Sequence, residues 1–291
     1  MTVVRRSLFL AGGGLKIAYQ AGVLQVWLDE YGIAFDHADG VSAATFNLAM
    51  WCQGMSGQQI ANNWRSFHPL TGLSVRVGQL AKLPFASSLL SLNRFRRNVL
   101  MQWGLDWNKI RATNREASFN VYDVTAQELR VIPSKAMSED YLLAAAALPM
   151  WFPPMVIDGH VYVDAVHATG ANLDHALAIG SDELWIIWTT STRGRWRPGF
   201  VNEFFQIFEE CTNSRLRSSL RRIEESNRRF AAGEHSEFGR HVEVKILSAE
   251  VPLHYLLNFR HRKFVASVDL GVRDARHWCK EHSWTVSRLD R

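Results

Sequence analysis

Residues 3–11 form a short apolar run that stops at three glycines, and beyond them Leu15, Tyr19, Val23, Val26 and Trp27 recur at helical spacing until Gly32. That change of period predicts a strand, a glycine turn and a helix. A similar unit follows, with a strand ahead of residue 42, a helix over 43–52 that ends near Gly54 and Gly57, and a further helix over 58–67. From Pro69 to about Arg111 the periodicity weakens. This stretch is rich in Leu, Phe and Trp and carries a basic knot at Arg94, Arg96 and Arg97. Such a mixture suits a segment lying on a membrane surface or a half-buried cap over an apolar pocket. Residues 118–122 and 128–131 then read as two strands joined by a turn, extending the sheet.

In the second half, residues 142–148 predict a short alanine-rich helix, broken by Pro149, Pro153 and Pro154. Asp158-Gly159 between 156–157 and 160–163 predicts a hairpin, with Asp164 at the end of its second strand. A helix over 172–179 and a strand over 183–189 follow. Further on, two helices are expected at 200–211 and 213–230, then a late strand at 242–247 and a closing helix at 264–281. The second of the paired helices carries arginine at 215, 217, 221, 222, 228 and 229, with Glu224 and Glu225 between. It reads either as a solvated face with i,i+4 ion pairs or as a holder of anionic headgroups.

The 291 residues, 47% hydrophobic, suffice for one large domain or two small ones. With no repeat, linker or low-complexity tract, one domain with an appendage is expected. Lysines and arginines, 33 against 28 acids, leave a formal charge of +5, and no nucleic-acid-binding motif accompanies it. Cys52, Cys211 and Cys279 lie far apart with no CxxC pair, which fits a reducing compartment and argues against a disulfide framework or a zinc site. Arg5-Arg6 before an apolar run superficially resembles a twin-arginine signal. The run stops at the glycines and Lys16 follows, so a buried first strand is the better reading. No apolar stretch reaches the ~20 residues of a spanning helix. A cytoplasmic protein without a cleavable signal, at most peripheral at a membrane, is the expectation.

The chemistry gathers at three places. Gly40-Val41-Ser42-Ala43-Ala44 places a serine among small residues between a strand and a helix, the way a nucleophile elbow is written, so Ser42 is the candidate nucleophile; a plain helix N-cap is the alternative. The backbone N–H groups of Gly12-Gly13-Gly14 at the start of a helix suit an anion or a developing oxyanion, or simply a tight turn. The GxxxxGK[ST] signature of a phosphate loop is absent. Lys16 in the first helical turn is a candidate support for an anion. Asp164, on a turn of small residues at a strand end, is placed to meet a serine from another such turn. His160, Asp164, His167 and His175 match no metal-ligand spacing, and His160 and His167 are expected to be satisfied locally.

Three blocks together resemble the patatin-like phospholipases. They are Gly12-Gly13-Gly14-Leu15-Lys16 continuing to Leu24, the Ser42 pentapeptide, and a third running from Ala147-Leu148-Pro149 through Asp158-Gly159 and Asp164 to Asn172. The resemblance covers roughly residues 6–190. It implies an α/β fold, a three-layer sandwich of helices around a mainly parallel sheet. It also implies a Ser–Asp dyad of Ser42 and Asp164, an oxyanion loop of Gly12, Gly13 and Gly14 with Lys16 at its basic position, and no metal or organic cofactor. The family usually has glycine where this chain has Ile17, Ala44 and Ala165, which implies a divergent pocket.

The resulting expectation is one patatin-like domain over 1–291, with catalytic motifs in 1–190 and a helical extension in 191–291 packed on them. Its activity would be hydrolysis of ester bonds in phospholipid or lysophospholipid, with no nucleic-acid partner. The competing expectations are a weak or inactive binding protein that keeps the glycine loop as an anion cradle, and a peripheral membrane adaptor built on the basic helices.

Overall fold

The computed structural model describes residues 4–284 apart from 81, 83, 84 and 195. Val3, the expected start of the first strand, lies outside them. Eight strands make one mixed sheet: β1 Arg6–Leu10, β2 His37–Val41, β3 Glu116–Asp123, β4 Glu128–Pro133, β5 Met155–Ile157, β6 His160–Asp164, β7 Glu183–Trp188 and β8 Glu243–Ser248. β8, β7, β1, β2 and β3 lie side by side, all parallel. β4, β6 and β5 are antiparallel additions at the β3 end. The helices used below are α1 Ala18–Leu24, α2 Thr45–Cys52, α3 Gly57–Arg65, α4 Glu139–Ala145, α5 Leu173–Ala178, α6 Phe200–Ala231 and α7 His261–Glu281.

Alternation along the central strands builds two apolar layers. In β1, Leu8 and Leu10 point into one core while Phe9 points into another; in β7, Trp185 and Ile187 join the first while Leu184, Ile186 and Trp188 join the second. Residues of α1, α2, α3 and α7 close the first layer, and residues of α5 and α6 close the second. Parallel strands covered on both faces have no polar side to show, which is why β1 reads as a continuous apolar run. The result is the mainly parallel sheet between helices that the resemblance implied. Among the described residues no helix is long and apolar enough to cross a membrane.

One expectation changes. Residues 200–231 form one helix of 32 residues, where two were expected. The polar side chains of Thr212 and Asn213, where the two helices were expected to meet, are satisfied in place. Thr212 Oγ1 donates back to Phe208 O at 2.8 Å, and Asn213 accepts from Trp188 Nε1 at 3.0 Å and donates to Ser191 O at 2.7 Å. The late strand expected at 242–247 is β8, which pairs with β7 in the main sheet. The arginines of α6 are partly engaged: Arg222 pairs with Asp174 and Glu237, and Arg228 and Arg229 pair with Glu225.

α7 packs along α1 so closely that side chains are excluded at the contact. A Cβ on Gly271 would lie 2.1 Å from Tyr19 O, and one on Gly22 would lie 2.0 Å from Val268 O. Backbone cannot yield as a flexible side chain does, so overpacking outweighs the ~1 kcal/mol that alanine gains over glycine in a helix. Gly271→Ala is expected to destabilise the protein by about 1–3 kcal/mol in urea unfolding. An unchanged or raised midpoint would refute this packing.

Candidate active site

Two loops far apart in sequence meet because β3 lends one edge to two strands. β4 pairs with residues 118–123 of β3 and so occupies one edge. On the other edge, β2 runs parallel as far as Val41 opposite Asn120, and β6 runs antiparallel with Asp164 opposite Val121. The two strands therefore approach each other end to end, with their C-terminal residues at adjacent positions of β3. Ser42 follows one of them and Asp164 ends the other. Ser42 Oγ donates to Asp164 Oδ2 at 2.5 Å, and both residues are buried.

The turn out of β2 is sharp. Ser42 has φ +60°, a left-handed conformation that costs a non-glycine residue about 1–3 kcal/mol. Its carbonyl accepts from Thr45 Oγ1 at 2.6 Å. The three positions where glycine is usual are relaxed by comparison. Ile17 and Ala44 are right-handed, both at φ −63°, and Ala165 is not among the residues of positive φ. A β-carbon at these sites meets no backbone strain.

Asp164 is held from three sides. Its backbone N–H donates to Ala147 O at 3.0 Å, and its Oδ1 accepts from Val166 N–H at 2.9 Å while Oδ2 takes the serine. Burial raises its pKa to about 7, against the lowering effect of the two hydrogen bonds. Beneath the pair lies a second buried carboxyl that the sequence did not single out. Asp39 accepts from Asn120 Nδ2 at 2.7 Å and from Asn172 N–H at 3.3 Å, while Asn172 Nδ2 donates to Asn120 Oδ1 at 2.8 Å. Burial raises the Asp39 pKa to about 7 as well. This network ties β2 and β3 to the start of α5, which Asn172 caps.

The glycine loop passes beside the serine. A Cβ on Gly12 would lie 3.2 Å from Ser42 Cβ; one on Gly13 would lie 2.3 Å from Thr189 Oγ1; Gly14 has φ +54°. Gly12 N–H donates to Gly170 O at 3.2 Å and Leu15 N–H to Tyr255 O at 2.7 Å. Of the three expected donors, Gly12 is therefore already engaged. Gly13 and Gly14 have N–H groups with no acceptor among the described residues. The elbow and this loop are stitched together by Asn47 of α2, whose Nδ2 donates to Ile17 O at 3.1 Å and Gln20 Oε1 at 3.3 Å.

Lys16 does not join the pair. Its ammonium lies 4.0 Å from the centroid of the Tyr255 ring and lines a different cavity. Burial brings its pKa down to about 8, although Glu209 and Glu250 pull the other way. The cavity that Ser42 and Asp164 do share is apolar, walled by Leu15, Phe46, Leu148, Phe152, Val166 and Phe205. Leu73, Leu92 and Phe95 line it too, so the weakly periodic segment serves as a cap. Of the histidines, His160 is satisfied by Asp123 Oδ2 at 2.8 Å, away from the serine.

A glycine loop, a strained serine and a buried aspartate around an apolar slot call for comparison with known proteins. Residues 8–139 match the family model described as Patatin-like phospholipase. The patatin-like stretch includes the glycine loop and Ser42 and ends before Asp164. It supports a lipid acyl hydrolase at the level of the family. Among solved structures, one similar to this chain is the crystal structure of VipD from Legionella pneumophila, at 12% identity and a TM-score of 0.48, covering 96% of this chain and 67% of that one. A comparison with curated proteins finds no match.

A carboxyl whose folded pKa lies above its unfolded value stabilises the fold below the unfolded pKa and loses that contribution as pH rises through the folded one. For Asp164 the window runs from its ordinary 3.8 to about 7. Asp164→Asn does not ionise, so it is expected to exceed the wild type in stability by more than about 1 kcal/mol at pH 8, with the gap closing towards pH 4. Urea unfolding at the two pH values checks this. A variant less stable than wild type at pH 8 would count against a buried, ionisable carboxyl here.

Proposed function

We propose that the protein is a serine acyl hydrolase that cleaves ester bonds of phospholipid or lysophospholipid through Ser42 and Asp164. The observation that carries the reading is the 2.5 Å hydrogen bond from Ser42 Oγ to Asp164 Oδ2 on the wall of an apolar cavity. A serine hydroxyl becomes a nucleophile when a base takes its proton, and a carboxylate within hydrogen-bond reach does so directly. Asp164 is suited to that task because burial raises its proton affinity towards neutrality, where a base is both ionised and basic.

The steps follow from the layout. With the acyl chain among Phe46, Phe95, Phe152 and Phe205, Ser42 Oγ attacks the ester carbonyl as its proton passes to Asp164. The N–H groups of Gly13 and Gly14 are the donors for the tetrahedral oxyanion, each contributing about 2.7–4 kcal/mol if they act as such donors do elsewhere. Collapse returns the proton from Asp164 to the departing alcohol and leaves an acyl-enzyme on Ser42. Water, deprotonated by Asp164, then releases the fatty acid.

The cap segment is the proposed membrane contact. Leu70, Val77 and Phe85 are 67%, 72% and 89% exposed there, beside the residues that line the cavity. We also read residues 1–291 as one working unit, since a C-terminal strand completes the sheet and Tyr255 braces the glycine loop.

Release of fatty acid from mixed phospholipid vesicles tests the proposal. Ser42→Ala and Asp164→Asn are each expected to lower kcat by about a thousandfold or more, and the wild-type rate is expected to fall about tenfold per pH unit below about 7. Retained release by Ser42→Ala, or a rate flat from pH 5 to 8, would contradict it.

A further inference from the structure

Behind the glycine loop lies a second, larger cavity, separated from the apolar one by Tyr255 and Phe205, which line both. Lys16, Ser191, Arg193, Arg197, Glu250 and His254 line it together with the apolar stretch from Val251 to Leu253. Lys16 is only 5% exposed, yet its ammonium has no ion pair or hydrogen bond among the described residues, only the face of Tyr255. The other charges are matched. Arg197 donates to both oxygens of Glu209 at 3.0 Å, and Glu209 also accepts from Tyr255 Oη at 2.8 Å. Glu250 accepts from Ser191 Oγ and Thr192 N–H, both at 2.9 Å, and lies 3.8 Å from Arg193.

Among the described residues, three cations therefore face two carboxylates, and the cation left over is the most deeply buried one. Burying an ammonium without a counter-charge is costly, and an anion in the cavity removes that cost. A further donor points the same way. His254 Nδ1 accepts from the N–H groups of Leu256 and Leu257 at 3.2 and 3.0 Å, so a neutral His254 carries its proton on Nε2.

We propose that this cavity binds a phosphate group, held by Lys16, Arg193 and His254. Both a lipid headgroup and a small free phosphate have that chemistry. The cavity is coupled to the hydrolase site through Tyr255, whose carbonyl accepts Leu15 N–H at 2.7 Å in the glycine loop. The binding claim stands without the hydrolase reading, while the coupling rests on it.

Calorimetric titration of the full chain with inorganic phosphate tests the binding. Saturable binding is expected, unchanged in Ser42→Ala, weakened about tenfold or more in Lys16→Met and less in the exposed Arg193→Gln. Lys16→Arg, which keeps the charge, is expected to restore it. If Lys16→Met does not fold, as judged by circular dichroism, Arg193→Gln and Lys16→Arg carry the test. Absent binding, or binding indifferent to these variants, overturns the proposal. The source is then read from hydrolysis. Phosphate that raises KM for phospholipid vesicles but leaves p-nitrophenyl butyrate unaffected marks the headgroup. A changed rate with both substrates marks a free phosphate acting as an effector. Binding that alters neither reaction marks an adventitious ion only and overturns the coupling.

Discussion

One edge of β3 holds two strands in series, and the arrangement of the site depends on it. Val41 sits opposite Asn120 and Asp164 opposite Val121, so two strand ends arrive at neighbouring residues from opposite directions. Neither can shift by a residue without breaking its own ladder, because a one-residue slip turns every side chain of a strand to the other face. The separation of Ser42 from Asp164 is thus set by backbone pairing and does not rely on flexible side chains. The buried network of Asp39, Asn120 and Asn172 fastens the end of β2 to β3, and its members satisfy one another's polar groups.

A second layer of support comes from the C-terminal third. Tyr255 reaches the glycine loop with its carbonyl, takes the Lys16 ammonium on its ring, and anchors its hydroxyl to Glu209 of α6. A Cβ on Gly14 would lie 2.3 Å from Tyr255 O, so the loop and its brace fit only with glycine there. In the two loops the left-handed positions are Ser42, where it costs strain, and Gly14, where it does not, while Ile17, Ala44 and Ala165 sit in ordinary conformations. Divergence from glycine at those three positions leaves the turn geometry unstrained.

Much of the fold was legible because it is written locally. The glycines closing β1, the Asp158-Gly159 hairpin with positive φ at both residues, and the apolar run of β7 each carry their own signal. Ser42 and Asp164 were readable as strand-end residues, and the structure places them within hydrogen-bond distance. What stayed hidden depends on contacts distant in sequence. Nothing near Asn120 or Tyr255 marks them, since their neighbours are β-strand and loop residues of ordinary composition. The direction of Lys16 was equally hidden, because a helical turn shows both sides of the glycine loop and only the packing of Tyr255 selects one. Two helices were expected to meet at Thr212 and Asn213; these side chains are satisfied by Phe208 O, Trp188 and Ser191, and one helix runs through.

The most direct measurement is intact-mass and peptide analysis after treating the full chain with a fluorophosphonate. The account predicts one phosphonyl adduct per chain, located on Ser42 and slowed strongly in Asp164→Asn. A chain that takes no adduct, or takes it on another serine while Ser42 stays free, would contradict the claim that β3 brings a nucleophile and its base together.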